Sequence, residues 1–252
     1  MSKKLVIFVS LLISISFVTA ACSLIGGSGL GGGVPGSGNV QTETRDVGAF
    51  GAVSIKYPGA ESIIQQGDKE TVEIEADDNL LPQLSTEVVS GRLTINNMET
   101  DWKSTVNPSK PVKIRVTVKD LNEIELSAPV GTLELNELQA DRLKLVLSGG
   151  AQIKINGIQV NMLDTDLSGA GDILASGDAN EINLILSGLG NFDAANLNSN
   201  KATIELSGMG SATVRVEEDL TATLTGAGSI QYYGHPHVKQ NVTGAGSIKP
   251  AE

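Results

Sequence analysis

Five aspartates in the second half of the chain, Asp164, Asp166, Asp172, Asp178 and Asp193, carry the most obvious chemical potential. Clustered carboxylates near a basic residue can serve as general acid and base, the arrangement used to cleave acidic polysaccharides. That chemistry needs a second carboxylate across from the first. Asp164 and Asp166 alternate along a strand and should both point outward. The equivalent positions hold Lys144 and Val146 one repeat earlier, and Asn183 and Ile185 one repeat later. No carboxylate faces either aspartate, so the pattern reads as a solvated strand face and predicts no catalytic residues.

Metal chemistry is equally thin. Gly169-Ala170-Gly171-Asp172 contains part of a calcium-binding nonapeptide pattern, in which an Asp follows the glycines in coil after coil. The corresponding positions here are Gln152, Asn191, Ser211, Ser229 and Ser247, so a cation ladder is not expected. His235-Pro236-His237 would need a further ligand to hold a metal, and its Pro favours a turn. Saccharide stacking has few rings to use beyond residue 21: Phe50, Tyr57, Trp102, Phe192, Tyr232 and Tyr233. Phe192 falls on an inward position, and the adjacent tyrosines should face opposite sides of a strand. No cofactor is expected.

The remaining reactive group is Cys22, the only cysteine in the chain. Before it, Lys3 and Lys4 precede an apolar run over residues 5–18 and the small residues Thr19, Ala20 and Ala21. This is the layout of a signal peptide covering residues 1–21. The run is shorter than the ~20 residues that span a bilayer. A lone exported thiol cannot close an internal disulfide, whereas acylation would use it. Val18-Thr19-Ala20-Ala21-Cys22 resembles a bacterial lipobox, with Thr19 where an aliphatic residue is usual. Ordinary cleavage, leaving a soluble secreted chain, is the alternative. Acylation of Cys22 would hold the protein on a membrane without spanning it.

Residues 22–44 then read as the anchor and a Gly/Ser-rich tether, with SLIGGSGLGGGVPGSGN over residues 23–39. Seventeen such residues reach about 20–25 Å root-mean-square. Loss of residues 1–21 removes two lysines and no acid, leaving 16 basic against 29 acidic residues, a charge of −13. Nucleic acid and anionic lipid are therefore not expected partners. Acidity of this kind also keeps an exported β-protein soluble.

The elements that must position these groups follow from an internal repeat. Ser148-Gly149-Gly150-Ala151, Ser168-Gly169-Ala170-Gly171, Ser187-Gly188-Leu189-Gly190, Ser207-Gly208-Met209-Gly210, Thr225-Gly226-Ala227-Gly228 and Thr243-Gly244-Ala245-Gly246 recur at spacings of 20, 19, 20, 18 and 18 residues. Directly before them stand Leu147, Leu167, Leu186, Leu206, Leu224 and Val242. Four residues earlier is a second column, Leu143, Leu163, Ile182, Ala202, Leu220 and Val238; between them Leu145, Thr165, Leu184, Ile204, Ala222 and Gln240 form a third. After the corner come Ile153, Ile173, Phe192, Ala212, Ile230 and Ile248. Period-two alternation on both sides of a Gly corner predicts two short strands per repeat. Such repeats are too short for helix pairs and fit one coil of a parallel β-helix.

The corner glycines are expected at positive φ, where a Cβ is penalised, with Ser and Thr forming an outward hydroxyl ladder. Six or seven coils at about 4.8 Å would stand roughly 30 Å tall. The period extends weakly upstream, where Leu133 and Leu135 align with Ile153 and Ile155, so residues 121–249 are the regular part. Residues 45–120 lose the period. TVEIEA (71–76), RLTIN (92–96) and VKIRVTV (112–118) alternate as strands, and residues 77–84 read as a short helix or turn. This half is predicted to be irregular coils plus a cap. Lys249, Pro250 and Glu252 look like devices that blunt the far edge, predicting a monomer.

These features together resemble the head GIN domain family of auto-transporter adhesin type, over residues 45–249. The likeness rests on Arg45-Asp46-Val47-Gly48-Ala49-Phe50, on Asp78-Asn79-Leu80 leading to Gly91-Arg92-Leu93-Thr94-Ile95, on the Ser-Gly-x-Gly corners, and on Tyr233-Gly234-His235-Pro236 followed by Thr243-Gly244-Ala245-Gly246-Ser247-Ile248. The resemblance implies an all-β, right-handed parallel β-helix (β-solenoid) on exported, often lipid-anchored proteins, with no catalytic residues. The expected function is a non-enzymatic adhesion or binding module of the cell envelope, facing the exterior or periplasm, with a polysaccharide or surface protein as ligand. A structural envelope spacer is the alternative, and a polysaccharide-active β-helix enzyme a distant third.

Overall fold

The computed structural model describes residues 33–98 and 105–251, so the signal segment, Cys22 and most of the tether lie outside the described residues. Nineteen strands occur: β1 (Gly33–Pro35), β2 (Val40–Asp46), β3 (Ala52–Ile55), β4 (Glu61–Gln66), β5 (Thr71–Asp77), β6 (Leu84–Val89), β7 (Arg92–Asn97), β8 (Thr105–Asn107), β9 (Lys113–Val118), β10 (Glu123–Leu126), β11 (Thr132–Asn136), β12 (Gln139–Leu147), β13 (Gln152–Leu167), β14 (Asp172–Leu186), β15 (Asn191–Leu206), β16 (Ser211–Leu224), β17 (Ser229–Tyr233), β18 (His237–Val242) and β19 (Ser247–Pro250). A 3-10 turn, Leu81–Gln83, falls inside the 77–84 segment read as helix or turn.

The regular half is a β-solenoid of about six turns. Each long strand pairs in parallel with the equivalent residues of the next coil. Bulges near Ile155, Leu174 and Ala194 bend β13, β14 and β15, so one strand lines two sides of the coil. Alternation is nearly complete. Leu147, Leu167, Leu186, Leu206 and Leu224 are buried, as are Ile153, Ile173, Phe192, Ala212 and Ile230. Burying each large aliphatic side chain contributes about 1.5–3 kcal/mol, and the columns share one continuous core.

Two expectations are corrected. The predicted columns fail at the last coil, where Val238 and Val242 are 37% and 41% exposed and the whole of β18 faces solvent. No described coil lies beyond β18 to cover it. The corner glycines also owe their identity to something other than positive φ. Left-handed glycines occur at Gly38, Gly59, Gly91, Gly131, Gly157, Gly177 and Gly234, none of them in a Ser/Thr-Gly-x-Gly corner. A Cβ built on Gly188 would stand 1.9 Å from the carbonyl oxygen of Gly169, and one on Gly190 1.8 Å from that of Gly171. The corners stack backbone on backbone, which leaves no room for a side-chain carbon.

The first half is nested out of sequence order. β7 pairs with β3, which pairs with β10; likewise β9 pairs with β4, which pairs with β11. The coil carrying β7 and β9 thus lies outside the coil that precedes it in the chain. Arg92 clamps this arrangement. Its guanidinium reaches across small Ala52 and Ser54 to Glu123 at 2.7 Å and Glu125 at 3.4 Å on the next coil.

Antiparallel strands finish this end: β6 on β7, and β5 on β9 with β2 on β5. Order reaches further towards the N-terminus than the Gly/Ser composition suggests, because β1 pairs with β8 and β2 with β5. Asp77 staples this segment. Its buried carboxylate accepts hydrogen bonds from the Ser109 hydroxyl (2.6 Å), the Ser109 N–H (2.8 Å) and the Gly38 N–H (2.8 Å). The Ser109 hydroxyl, more than any other contact, holds its pKa below the usual carboxylate value.

Candidate functional site

The outward residues of neighbouring coils stand in register, so any site on the regular half is built from ladders. The register places Gln152, Asp172, Asn191, Ser211, Ser229 and Ser247 in one row, as the repeat predicts. Within it the Asn191 amide donates to Asp172 at 2.8 Å, and the Ser211 hydroxyl to Asn191 at 2.6 Å. Asp172 is therefore held by a neighbouring amide.

The other aspartates are likewise separated. Asp164 lies between Lys144 and Asn183, accepting from Arg142 and from the Asn183 amide at 3.1 Å. Asp166 lies between Val146 and Ile185. Asp178 accepts from Asn198, and Asp193 from the N–H of Ala195. The register sets no two of the five directly opposite each other in adjacent coils.

Sequence reading missed a further ladder on the outside of β13, β14 and β15. The Asn200 amide donates to Asn180 at 2.8 Å, and that of Asn180 to Asn161 at 3.3 Å. Each amide keeps outward hydrogen-bonding capacity, repeated at the coil spacing. The signal was present as Asn at 19- to 20-residue intervals, outside the columns chosen for hydrophobicity. The corner hydroxyls Ser168, Ser187, Ser207, Thr225 and Thr243 are exposed as expected. Beside them Leu189 and Met209 project into solvent, 57% and 66% exposed.

The histidine segment enters β18, where His237 Nδ1 lies 3.4 Å from the carbonyl of Glu218. Tyr233 lies under the Arg215 guanidinium, 4.9 Å from its ring centroid, while Tyr232 packs against the core, so neither ring stands free. Among the described residues no three His, Cys, Asp or Glu side chains converge in a metal-binding group, and no helix is long and apolar enough to cross a membrane.

A second feature that escaped the sequence is a groove of about 670 Å³ where the irregular coils meet the regular ones. It is lined by Gln66, Asp68, Lys119, Asp120, Glu137, Gln139 and Gln159, with Gly67 and Gly157. Nothing in the repeat could reveal it, because β4 and β11 become neighbours only through the nested order.

Residues 50–236 match the sequence profile described as "Putative auto-transporter adhesin, head GIN domain". The chain belongs to this head GIN domain family. Among solved structures, a "putative adhesin" from Bacteroides fragilis NCTC 9343 superimposes with a TM-score of 0.81 at 26% identity, covering 86% of this chain and 100% of that one. A "putative lipid binding protein" from Parabacteroides distasonis ATCC 8503 gives 0.70 at 22% identity, covering 87% and 100%. A "putative adhesin" from Parabacteroides merdae ATCC 43184 gives 0.69 at 22%, covering 87% and 99%. The last two share the fold. No curated protein matches the sequence. The adhesin-type head GIN assignment supports a binding role in preference to catalysis.

Proposed function

We propose that this head GIN protein is an exported surface module, anchored through acylated Cys22, that binds a polymer or partner protein without transforming it. The observation that carries the reading is the set of exposed polar ladders running from coil to coil, above all Asn161, Asn180 and Asn200. Repeated amides at one coil spacing suit an extended ligand with repeating hydrogen-bonding groups. The engagement of Asp164 by Arg142 and the Asn183 amide, and of Asp172 by the Asn191 amide, supports a non-enzymatic role. The signal-like segment and lone Cys22 support placement in the cell envelope, facing the exterior or periplasm.

The test is binding of residues 33–252 to cell-wall and host polysaccharides and to extracted surface proteins, with reducing-end release followed in the same wells. Saturable binding without product is the expected result. Product formation would overturn the reading and direct attention to the aspartates. A structural envelope role is the second reading, favoured by the solvent-facing β18. Absence of binding together with concentration-dependent assembly would select it. Labelling with radioactive palmitate in a cell that expresses the full chain, against Cys22→Ser, tests the anchor. Equal labelling of both would reject it.

A further inference from the structure

We infer that the groove between the nested and the regular coils is a binding site for a neutral, hydroxyl-rich saccharide. The inference rests on the binding reading above and gives it a location and a ligand class. Three glutamines linked by hydrogen bonds, Gln66, Gln139 and Gln159, form one wall. Gln66 Nε2 donates to the carbonyls of Lys119 (2.9 Å) and Gln139 (3.3 Å), and Gln66 Oε1 accepts the Gln139 N–H at 3.0 Å. Gln139 Nε2 donates onward to Gln159 Oε1 at 3.4 Å. Gln159, exposed at the end of this chain, makes no hydrogen bond through its side-chain amide nitrogen among the described residues, and hydrogen bonds in series polarise one another.

Around this wall stand the carboxylates of Asp68, Asp120 and Glu137 and the ammonium of Lys119, all exposed. Amide donors beside carboxylate acceptors are the groups that hydrogen-bond vicinal hydroxyls. Three acids against one lysine give the groove a formal charge of −2, which repels uronate and phosphate groups. The carboxylates do not form a metal-binding group. A volume of about 670 Å³ lies within the ~300–1,000 Å³ of small-molecule sites, though the lining has no aromatic ring. Affinity for one short chain should therefore be weak, with strength coming from many copies on a cell.

Glu137 has a backbone that the fold alone would not select. Its φ is 47°, in the left-handed region, and the next coil places Gly157, at 70°, in the equivalent position after paired Asn136 and Asn156. Glycine adopts this conformation without strain, so a carboxylate retained there has a use besides folding.

The experiment is amide chemical-shift mapping of residues 33–252 titrated with cellohexaose, mannohexaose and a polygalacturonate fragment of equal length. A neutral oligosaccharide should shift the amides of Gly67, Asp120, Gly157 and Gln159, and polygalacturonate should not. Asp120→Asn and Gln159→Ala should each weaken binding about tenfold. Glu137→Gly should weaken binding and at the same time raise the denaturation midpoint, which a purely structural Glu137 would not do. Shifts confined to Asn161, Asn180 and Asn200 would overturn the groove and leave the binding function standing. Absence of shifts with the neutral oligosaccharides, while polymers or surface proteins still bind, would do the same. Failure of every ligand would sink both readings.

Discussion

Replacing one corner glycine should open the stack between two coils, and the structure sets the size of the effect. In Gly190→Ala the new Cβ would meet the Gly171 carbonyl oxygen at 1.8 Å and Leu167 Cδ2 at 2.7 Å. Ordinary contact begins near 3.4 Å, so the coils must separate locally by about 1.5 Å. The adjoining Leu189 N–H to Gly169 hydrogen bond is 3.0 Å long and would not survive that shift. Overpacking costs about 1–3 kcal/mol and the lost bond about 0.5–1.5, giving roughly 1.5–4.5 kcal/mol. Leu189→Ala, at the neighbouring exposed position, should stay within about 0.5 kcal/mol of the parent.

Urea denaturation followed by circular dichroism and by intrinsic fluorescence measures both. A second comparison separates crowding from backbone conformation. At Gly157, where φ is 70° and the nearest atom to a built Cβ is 4.0 Å away, Asn should be milder than Ala because it tolerates left-handed backbone. At Gly190 Asn should be at least as damaging as Ala. A Gly190→Ala variant as stable as the parent, or Asn rescuing Gly190, would refute the close-stacking account.

Thr165 is buried at 4% exposure between Leu145 and Leu184, with no hydrogen-bond partner for its hydroxyl, so Thr165→Val should stabilise by about 1 kcal/mol in the same denaturation assay. Acid should loosen the N-terminal staple. Asp77 has its folded pKa lowered from 3.8, so its contribution is present above that value and is lost as pH falls below it. Hydrogen exchange of Gly38 and Ser109 should accelerate in that range, and Asp77→Asn should flatten the response. Tyr57 gives the opposite edge. Burial, with Asp77 nearby, pushes its hydroxyl from 10.0 up to about 12, so stability present below pH 10 should fall as pH rises through that interval. A Tyr57→Phe variant should lose much of that alkaline dependence in a pH titration of the unfolding midpoint.

The sequence alone settled the regular half. Period-two alternation of Leu147 to Leu224 and of Ile153 to Ile230 fixed which residues face inward, because a strand offers only two faces and a coil of about 20 residues returns each residue to its own column. The same arithmetic sets no carboxylate opposite Asp164 or Asp166 in the neighbouring coils. What tertiary structure decided lies where the nearest neighbour in space is not the next repeat in sequence. The coil of β7 and β9 slips outside that of β3 and β4, and only this juxtaposition creates the groove with Gln66, Gln139 and Glu137. The corner glycines were legible by position, but their cause was not, since a carbonyl less than 2 Å from an imagined Cβ belongs to the coil beneath. Val238 and Val242 obey the pattern and yet lie exposed, because burial requires a covering coil that no local periodicity can supply.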